Sequence, residues 1–412
     1  MALYAFDGTW NEDQPDPEDD TNVVKFKACY LEKAEYIGGV GTRLGTLGRI
    51  AGGLFGIGGQ TRIEEMYDKL VANWQAGDRA IDIVGFSRGA ALAVHFSNVV
   101  TDQGIRVDGQ TTVPPIRFLG LWDTVGSFGI PIDLVLNFQD IDIGYDLDVG
   151  ENVQRCSHAM ALHERRQTFD LRRQDVGGGR PNIEEVWFRG VHSDVGGGNA
   201  NEALSSIALA WMLRQADQAG VPVDATKIAA IEAVGDPMVA ISENLDFIRN
   251  PDRTIHPEDN IHPSAIGATL VPGEARSFKV RAAELYSWSG VRLEKGARYV
   301  FQIADGERWR DGDIECGPGG WETEDLPWYK EEFVALFESR RRCPPANWFE
   351  LIGAVGDDED HLFRIGKGGE GAAIEAPESG ELYAFANDLG SRYENNTGEI
   401  EVTVACLAGA AG

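Results

Sequence analysis

Short apolar runs alternate with helix-spaced segments over the first 220 residues, and no other feature of the chain restricts its fold as tightly. Residues 3–6, 35–40, 80–84, 116–122 and 186–191 read as strands, while 63–74, 88–100 and 202–219 carry apolar positions at helical spacing. Strands buried on both faces and separated by helices require βαβ units, hence a mostly parallel sheet covered on both sides. The pattern changes near residue 265. Beyond it, alternating runs at 276–280, 297–303, 351–355, 381–386 and 399–406 lie between turns rich in Gly, Asp, Asn and Pro, with 327–336 a candidate helix. Such spacing predicts an all-β sandwich. The expectation is an α/β domain over residues 1–265 and a β-sandwich domain over 270–412, joined at the stretch 260–273 that contains Pro263 and Pro272. Residues 12–20, acidic and holding two prolines, read as a solvated loop.

Charge then narrows the partners. The chain has 37 Lys+Arg against 66 Asp+Glu, a formal net charge of −29. A surface this acidic repels phosphate backbones and anionic bilayers, which argues against nucleic acid and against electrostatic membrane docking. The longest apolar stretches run to about ten residues, half of the ~20 a membrane span needs, so no transmembrane segment is expected. The first residues show no basic region or cleavage site. The expected location is cytoplasmic, or secreted without a signal peptide. Five scattered cysteines (Cys29, Cys156, Cys316, Cys343, Cys406) have no metal-ligand spacing and read as reduced thiols.

Gly85-Phe86-Ser87-Arg88-Gly89 is a G-x-S-x-G motif between a strand and a helix. A serine on so sharp a turn brings backbones close together, and glycine two residues away on each side leaves the room. The hydroxyl needs a base, and the base an orienting acid. Asp123, leaving the strand 116–122, is the candidate acid, and His192, after the strand 186–191, the candidate base. Chain order Ser…Asp…His is that of α/β-hydrolases. Asp194 is an alternative acid, and His262 an alternative base. His95, His158 and His163 read as packing or surface residues. The oxyanion hole is expected from the backbone N–H of Arg88, with Gly8 and Thr9 of the Asp7–Asn11 loop supplying the second donor. Residues 52–59, apolar and glycine-rich, read either as a lid or as a buried turn.

Six motifs occur in order: Phe6-Asp7-Gly8-Thr9-Trp10-Asn11, Gly39-Val40-Gly41-Thr42, the serine elbow with Ala90, Trp122-Asp123-Thr124-Val125-Gly126, Trp187 to Gly198, and Ile261-His262-Pro263-Ser264. Over residues 1–265 this set resembles the α/β-hydrolase family that includes type VI secretion phospholipase effectors of the Tle kind. The resemblance implies an α/β-hydrolase fold and carboxylic ester hydrolysis at glycerophospholipids, with Ser87, Asp123 and His192 as the triad. No cofactor is expected for catalysis.

Near the C-terminus, Asp388, Asn395 and Asn396 fall within one loop and offer one anionic and two neutral oxygens. Calcium wants six to eight oxygens, yet Asn/Asp/Gly loops by themselves are ordinarily turns. Residues 270–410 are similar to the small β-sandwich of bacterial calcium-dependent galactose-binding lectins, on Tyr383–Val404, Gly317-Pro318-Gly319-Gly320 and Val291–Gly306. That likeness implies calcium held by Asp388, Asn395, Asn396 and the main-chain carbonyl of Arg392, with a sugar's vicinal hydroxyls completing the shell. The sequence departs where those lectins present a histidine to the sugar, since Trp321-Glu322-Thr323-Glu324 follows the turn here. The combined expectation is an esterase or phospholipase whose β module binds a glycan or assists homo-oligomer assembly. The alternative is a non-catalytic carbohydrate-recognition protein that uses the hydrolase domain as a scaffold.

Overall fold

The computed structural model describes residues 1–8, 20–38, 54–107, 109–126, 146–166, 169–199, 201–242, 253–323, 334–357, 359–369 and 373–407. The chain divides into two compact units, Met1–Ala265 and Ile266–Gly412. The first begins β1 (Ala2–Phe6), α1 (Asn22–Cys29), β2 (Lys33–Ile37), α2 (Leu54–Gln75), β3 (Ile81–Phe86) and α3 (Arg88–Gln103). A hairpin of β4 (Ile105–Val107) and β5 (Gln110–Thr112) leads to β6 (Ile116–Trp122), β7 (Cys156–Ala161) and β8 (Ile183–Phe188). The unit ends with α4 (His192–Gly196), α5 (Ala203–Gln218), α6 (Ala225–Val234) and β9 (Asn260–Ile261).

Seven of these strands form one sheet in the order β2-β1-β3-β6-β7-β8-β9, and every neighbouring pair is parallel. All carboxyl ends therefore open on one edge. The period of two along each strand splits the core between the faces. Tyr4 and Phe6 pack with Met66, Leu70 and Phe96 of α2 and α3. Leu3 and Ala5 point the other way, to Phe26 of α1 and Met212 and Leu213 of α5. Asp82 interrupts the apolar run of β3 and is fully buried, yet it is neutralised in place: Arg117 Nε and the Tyr30 hydroxyl each donate to it at 2.8 Å. From β1 the chain steps outward to β2, then crosses to β3 on the other side. Open α/β sheets bind ligands at such a switch point, beyond the strand ends.

The sequence reading omitted α1, β7 and α6. β7 is wholly buried but contains Ser157 and His158, and these break the apolar run that announces a buried strand. His158 is satisfied by tertiary partners instead, Glu185 Oε1 at 2.9 Å and the Thr124 amide at 3.2 Å. Helix α2 starts at Leu54, so residues 54–59 of the lid-or-turn segment are helical, while 52 and 53 lie outside the described residues. The acidic loop 12–19, the motif 39–42 and most of the candidate helix 327–336 also lie outside them.

The second unit is built of β10 (Ala268–Thr269), β11 (Ala275–Arg281), β12 (Ser287–Leu293), β13 (Arg298–Ile303), β14 (Trp309–Asp311) and β15 (Ile314–Cys316). It continues with β16 (Gly319–Trp321), β17 (Trp348–Val355), β18 (Leu362–Arg364), β19 (Ile374–Glu375), β20 (Gly380–Ala386) and β21 (Asn396–Cys406). One sheet runs β10-β12-β20-β17-β16 with β18 beside β17; the other runs β15-β14-β21-β13-β19 with β11 beside β21. Apart from the parallel pair β10–β12, all strand pairs are antiparallel. The two sheets meet through Phe301 on Phe363 (5.7 Å between ring centroids) and Trp309 on Phe349 (5.3 Å). The expected pair of layers is present.

Candidate active site

Ser87 joins β3 to α3 as the residue between them, with φ 59° and ψ −129°. Among the described residues only Ser87, Asp123 and Phe349 are non-glycine residues at positive φ. Two of the three are thus the candidate nucleophile and acid, in a conformation that costs ~1–3 kcal/mol and persists only where the surroundings impose it. The surroundings are explicit. A Cβ on Gly85 would lie 2.6 Å from the Gly89 carbonyl oxygen, and one on Gly89 would lie 2.4 Å from the carbonyl oxygens of Phe6 and Asp7. Both glycines of the motif are steric requirements of packing α3 against the ends of β1 and β3. The Ser87 amide donates to the Trp122 carbonyl (3.0 Å), and the Val125 amide donates to the Ser87 carbonyl (3.2 Å). These two bonds bracket Asp123 and lock the elbow to the end of β6.

Asp123 and His192 come together: His192 Nδ1 and Asp123 Oδ2 are 2.6 Å apart, both residues buried. Asp123 Oδ1 also accepts from the Ala161 amide at 2.8 Å. The imidazole is clamped between Phe86, stacked with centroids 4.6 Å apart, and the edge of Phe169, also at 4.6 Å. Phe86 is the residue before the nucleophile, so the ring contact brings base and elbow side by side. The glycine run after the histidine makes this approach feasible, because a Cβ on Gly196 would fall 1.9 Å from the Phe86 ring. Gly197, at φ 79°, leaves similarly little room against the Asn22 amide.

Arg253, which no sequence pattern marks, completes the cluster. Its Nη1 donates to Asp123 Oδ1 at 2.6 Å and its Nη2 to Oδ2 at 3.2 Å, and both nitrogens also donate to main-chain carbonyls, of Ala161 and Phe169, at 2.8 Å. Burial alone would raise the Asp123 carboxyl; the guanidinium of Arg253 and the bond to His192 override it and hold the group well below the usual carboxylate range. His192 is pushed below the ordinary histidine value by burial and by the Arg253 charge, against the opposing pull of Asp123 and Glu164. Glu164 was likewise missed from the sequence: its Oε2 accepts the His192 backbone amide at 3.1 Å, and Arg166 caps it at 2.7 Å.

The rival residues serve elsewhere. Asp194 accepts the Val191 and Ser242 amides (3.0 Å each), the Ser242 hydroxyl and Asn199, so its carboxylate is a turn cap and not the partner of His192. His262 follows β9 with Nδ1 2.8 Å from Ser264 Oγ and its ring stacked on Phe188. The Gly8 amide donates to Asp7 Oδ1 at 2.7 Å, the geometry of an Asp-capped turn, so it is not presented to an oxyanion here. Thr9 lies outside the described residues. Asp7 itself is buried, which raises its carboxyl to about 6 although Thr21, Tyr36 and Gly8 all donate to it. The Arg88 amide sits at the first turn of α3, directly after the serine.

In the second unit the candidate ligands also converge. Asp388 is 3% exposed; its Oδ1 accepts the Leu389 amide at 2.6 Å and its Oδ2 accepts Asn396 Nδ2 at 3.1 Å. Asn396 is equally buried, and its Oδ1 has no hydrogen-bond partner. The loop is braced from behind. Asn387 bonds the backbone at Cys343 and Asn347, and the Arg342 guanidinium lies 3.5 Å over the Phe385 ring while bonding the Tyr393 hydroxyl. A buried amide oxygen left without a donor fits a cation ligand better than a turn residue. No group of three or more His, Cys, Asp or Glu side chains suited to a metal occurs among the described residues.

Comparisons with known proteins bear on both units. A family model, the catalytic domain of Tle1-like type VI secretion phospholipase effectors, matches residues 3–114 and 103–215. No curated protein matches. Among solved structures, the chain is similar to an uncharacterized protein from Pseudomonas aeruginosa at 23% identity, covering 57% of this chain and 48% of that one, with a TM-score of 0.37. It therefore spans about half the length of that protein. It is similar to the N-terminal domain of EclA, a PllA-like lectin, at 21% identity over 32% of this chain and 95% of that one, TM-score 0.23. It is also similar to a Tle1 effector bound to the VgrG spike of the type 6 secretion system, at 16% identity over 98% of this chain and 67% of that one, TM-score 0.34. No described helix is long and apolar enough to cross a membrane. Because the catalytic-domain match runs over residues 3–215, more than half of the chain, the protein belongs to the family of Tle1-like type VI secretion phospholipase effectors.

Proposed function

We propose that the first unit is an α/β-hydrolase that cleaves carboxylic esters of phospholipids through Ser87, His192 and Asp123. The observation that carries this reading is the 2.6 Å bond between His192 and Asp123 beside a serine held at positive φ. Asp123 accepts from Nδ1–H, fixing the tautomer in which Nε2 is free to take a proton. His192 removes the Ser87 proton as Oγ attacks the ester carbonyl. The oxyanion then forms next to the first turn of α3, where the Arg88 amide donates. His192 returns the proton to the departing alcohol and leaves an acyl-serine, which water hydrolyses by the same proton relay.

The second unit is proposed to bind calcium, through Asp388, Asn395, Asn396 and the Arg392 carbonyl, and a glycan. Bound there, the ion would supply positive charge and open coordination positions to vicinal hydroxyls. Membership of the effector family supports delivery by the type VI machinery as the route to the substrate. The direct experiment is a panel of p-nitrophenyl esters and phospholipid vesicles assayed with wild type and Ser87→Ala, together with fluorophosphonate labelling. Wild type should hydrolyse esters and carry the label on Ser87. Ester hydrolysis that survives in Ser87→Ala, or a label on another residue, would falsify the assignment.

A further inference from the structure

The calcium-site reading draws a single carboxylate, Asp388, from the loop 388–396. Strand pairing brings a second one to the same place. β14 lies against the start of β21 with Asp311 directly opposite Asn396. Opposed residues of an antiparallel pair point to the same face, with Cβ atoms about 4.5–5.5 Å apart. Since Asn396 Nδ2 donates to Asp388 Oδ2, the carboxylates of Asp311 and Asp388 flank one buried amide whose own oxygen is unpartnered. Asn395 adds to the imbalance. Its amide lies between Asp311 Oδ1, 3.4 Å away, and the Arg392 carbonyl. With nitrogen toward Asp311, the amide oxygen abuts the Arg392 carbonyl oxygen. Turned over, nitrogen meets that carbonyl and oxygen accepts from the Gly312 amide at 3.3 Å, but the amide oxygen then faces the Asp311 carboxylate. Either orientation leaves two oxygens opposed. Oxygens from two chain segments thus converge, and beside the Trp321 indole that donates toward Asp311 they have too few donors among them.

We infer that Asp311 is a ligand of the cation held by Asp388, Asn395, Asn396 and the Arg392 carbonyl. This rests on the calcium-site reading above and extends it: the site joins the β14 hairpin to the loop before β21 and carries two negative charges for a divalent ion. Hard oxygen donors of carboxylate, amide and carbonyl type suit calcium, and five protein ligands leave one to three of its six to eight positions for water or a ligand's hydroxyls. Asn395 and Arg392 are exposed, so those positions face solvent. Ligand charge count and site rigidity tune affinity in oxygen sites, so a second carboxylate tightens binding, on the order of 10–100-fold over a one-carboxylate loop.

The test is calcium titration by calorimetry of the full chain after chelator treatment, in wild type, Asp311→Asn and Asp388→Asn, with melting temperatures recorded in chelator. Wild type should bind one calcium, Asp388→Asn none, and Asp311→Asn ~10–100-fold more weakly while melting as wild type does in chelator. Should Asp311→Asn melt early in chelator, Asp311→Ser replaces it and must show the same weakening. Wild-type affinity in a folded Asp311 variant overturns the inference and leaves the calcium reading intact. A wild type that binds no calcium overturns both.

Discussion

Arg253 places a full positive charge on both oxygens of the carboxylate that orients His192. This pairing favours the ionised form of Asp123, and it discourages a second positive charge on the imidazole beside it. Three charged groups bear on His192: Asp123, Glu164 and Arg253. Their sum, with burial, leaves the histidine below its ordinary value of ~6.5. The base works only when neutral, so kcat/KM should rise with pH along an acid limb whose midpoint lies below 6.5. Replacing Arg253 by methionine removes a cation, favours the imidazolium, and should move that midpoint upward. An unshifted acid limb in a folded Arg253→Met protein would rule out this electrostatic role. The same variant leaves Asp123 buried without its strongest partner and should lose ~3–5 kcal/mol of stability in a denaturant titration. Asp123→Asn should lower kcat by ~10⁴ by presenting the wrong tautomer, whereas Asp194→Asn, which alters only a cap, should leave turnover near wild type. Near-normal turnover in Asp123→Asn would remove it from the triad. Ser87, Asp123 and His192 were legible in the sequence because each sits at a strand end marked by glycines that the backbone requires. Arg253 and Asp311 were not, since their roles arise from chain segments distant in sequence and leave no local pattern.

At the level of elements, the base reaches the nucleophile because α4 enters tightly against β3. Its last residue, Gly196, touches the face of Phe86, the ring that also stacks on His192. A methyl group at residue 196 has nowhere to go without tilting that ring. Gly196→Ala should therefore cost ~1–3 kcal/mol of overpacking strain and lower kcat more than it raises KM, because the ring it displaces positions the base. Thermal melting and steady-state kinetics check this, and wild-type values for both would contradict it. The strands that carry the site were the readable ones: β1, β3, β6 and β8 are apolar runs followed by glycine-bearing turns. α1 was not readable, because Asn22-Val23-Val24-Lys25-Phe26-Lys27-Ala28-Cys29 begins with two β-branched valines and is stabilised by Thr21 capping and by burial, both tertiary or terminal effects. β7 was hidden by His158, whose polarity is cancelled only when Glu185 of β8 and Thr124, just past the end of β6, arrive beside it. Propensity and periodicity report what a segment prefers alone, and these segments depend on what they meet.

For the whole molecule, the two units give two separable readouts. The formal charge of −29 opposes approach to anionic bilayers, so at low ionic strength hydrolysis of zwitterionic phospholipid vesicles should exceed that of anionic ones. Salt screens the repulsion and should narrow the difference; a difference indifferent to salt would have another origin. The proposed calcium site lies in the second unit alone, where Asp388 and its neighbours are already braced by Asn387, Arg342 and Tyr393. A ligand that binds only the native state stabilises it by RT ln(1 + [L]/Kd), ~2.7 kcal/mol at a hundredfold excess over Kd. Millimolar calcium should therefore raise the melting transition of the second unit in the full chain, and chelator should reverse the shift. Asp388→Ala should abolish that response while leaving hydrolysis of a soluble ester unchanged, because Ser87, Asp123 and His192 draw every contact described for them from within Met1–Ala265. If calcium leaves the wild-type melting curve where it was, the loop 388–396 is a braced turn and the module's ligand must be sought on another face. If Asp388→Ala instead slows hydrolysis of the soluble ester, the units are coupled, and the second one contributes to the chemistry of the first.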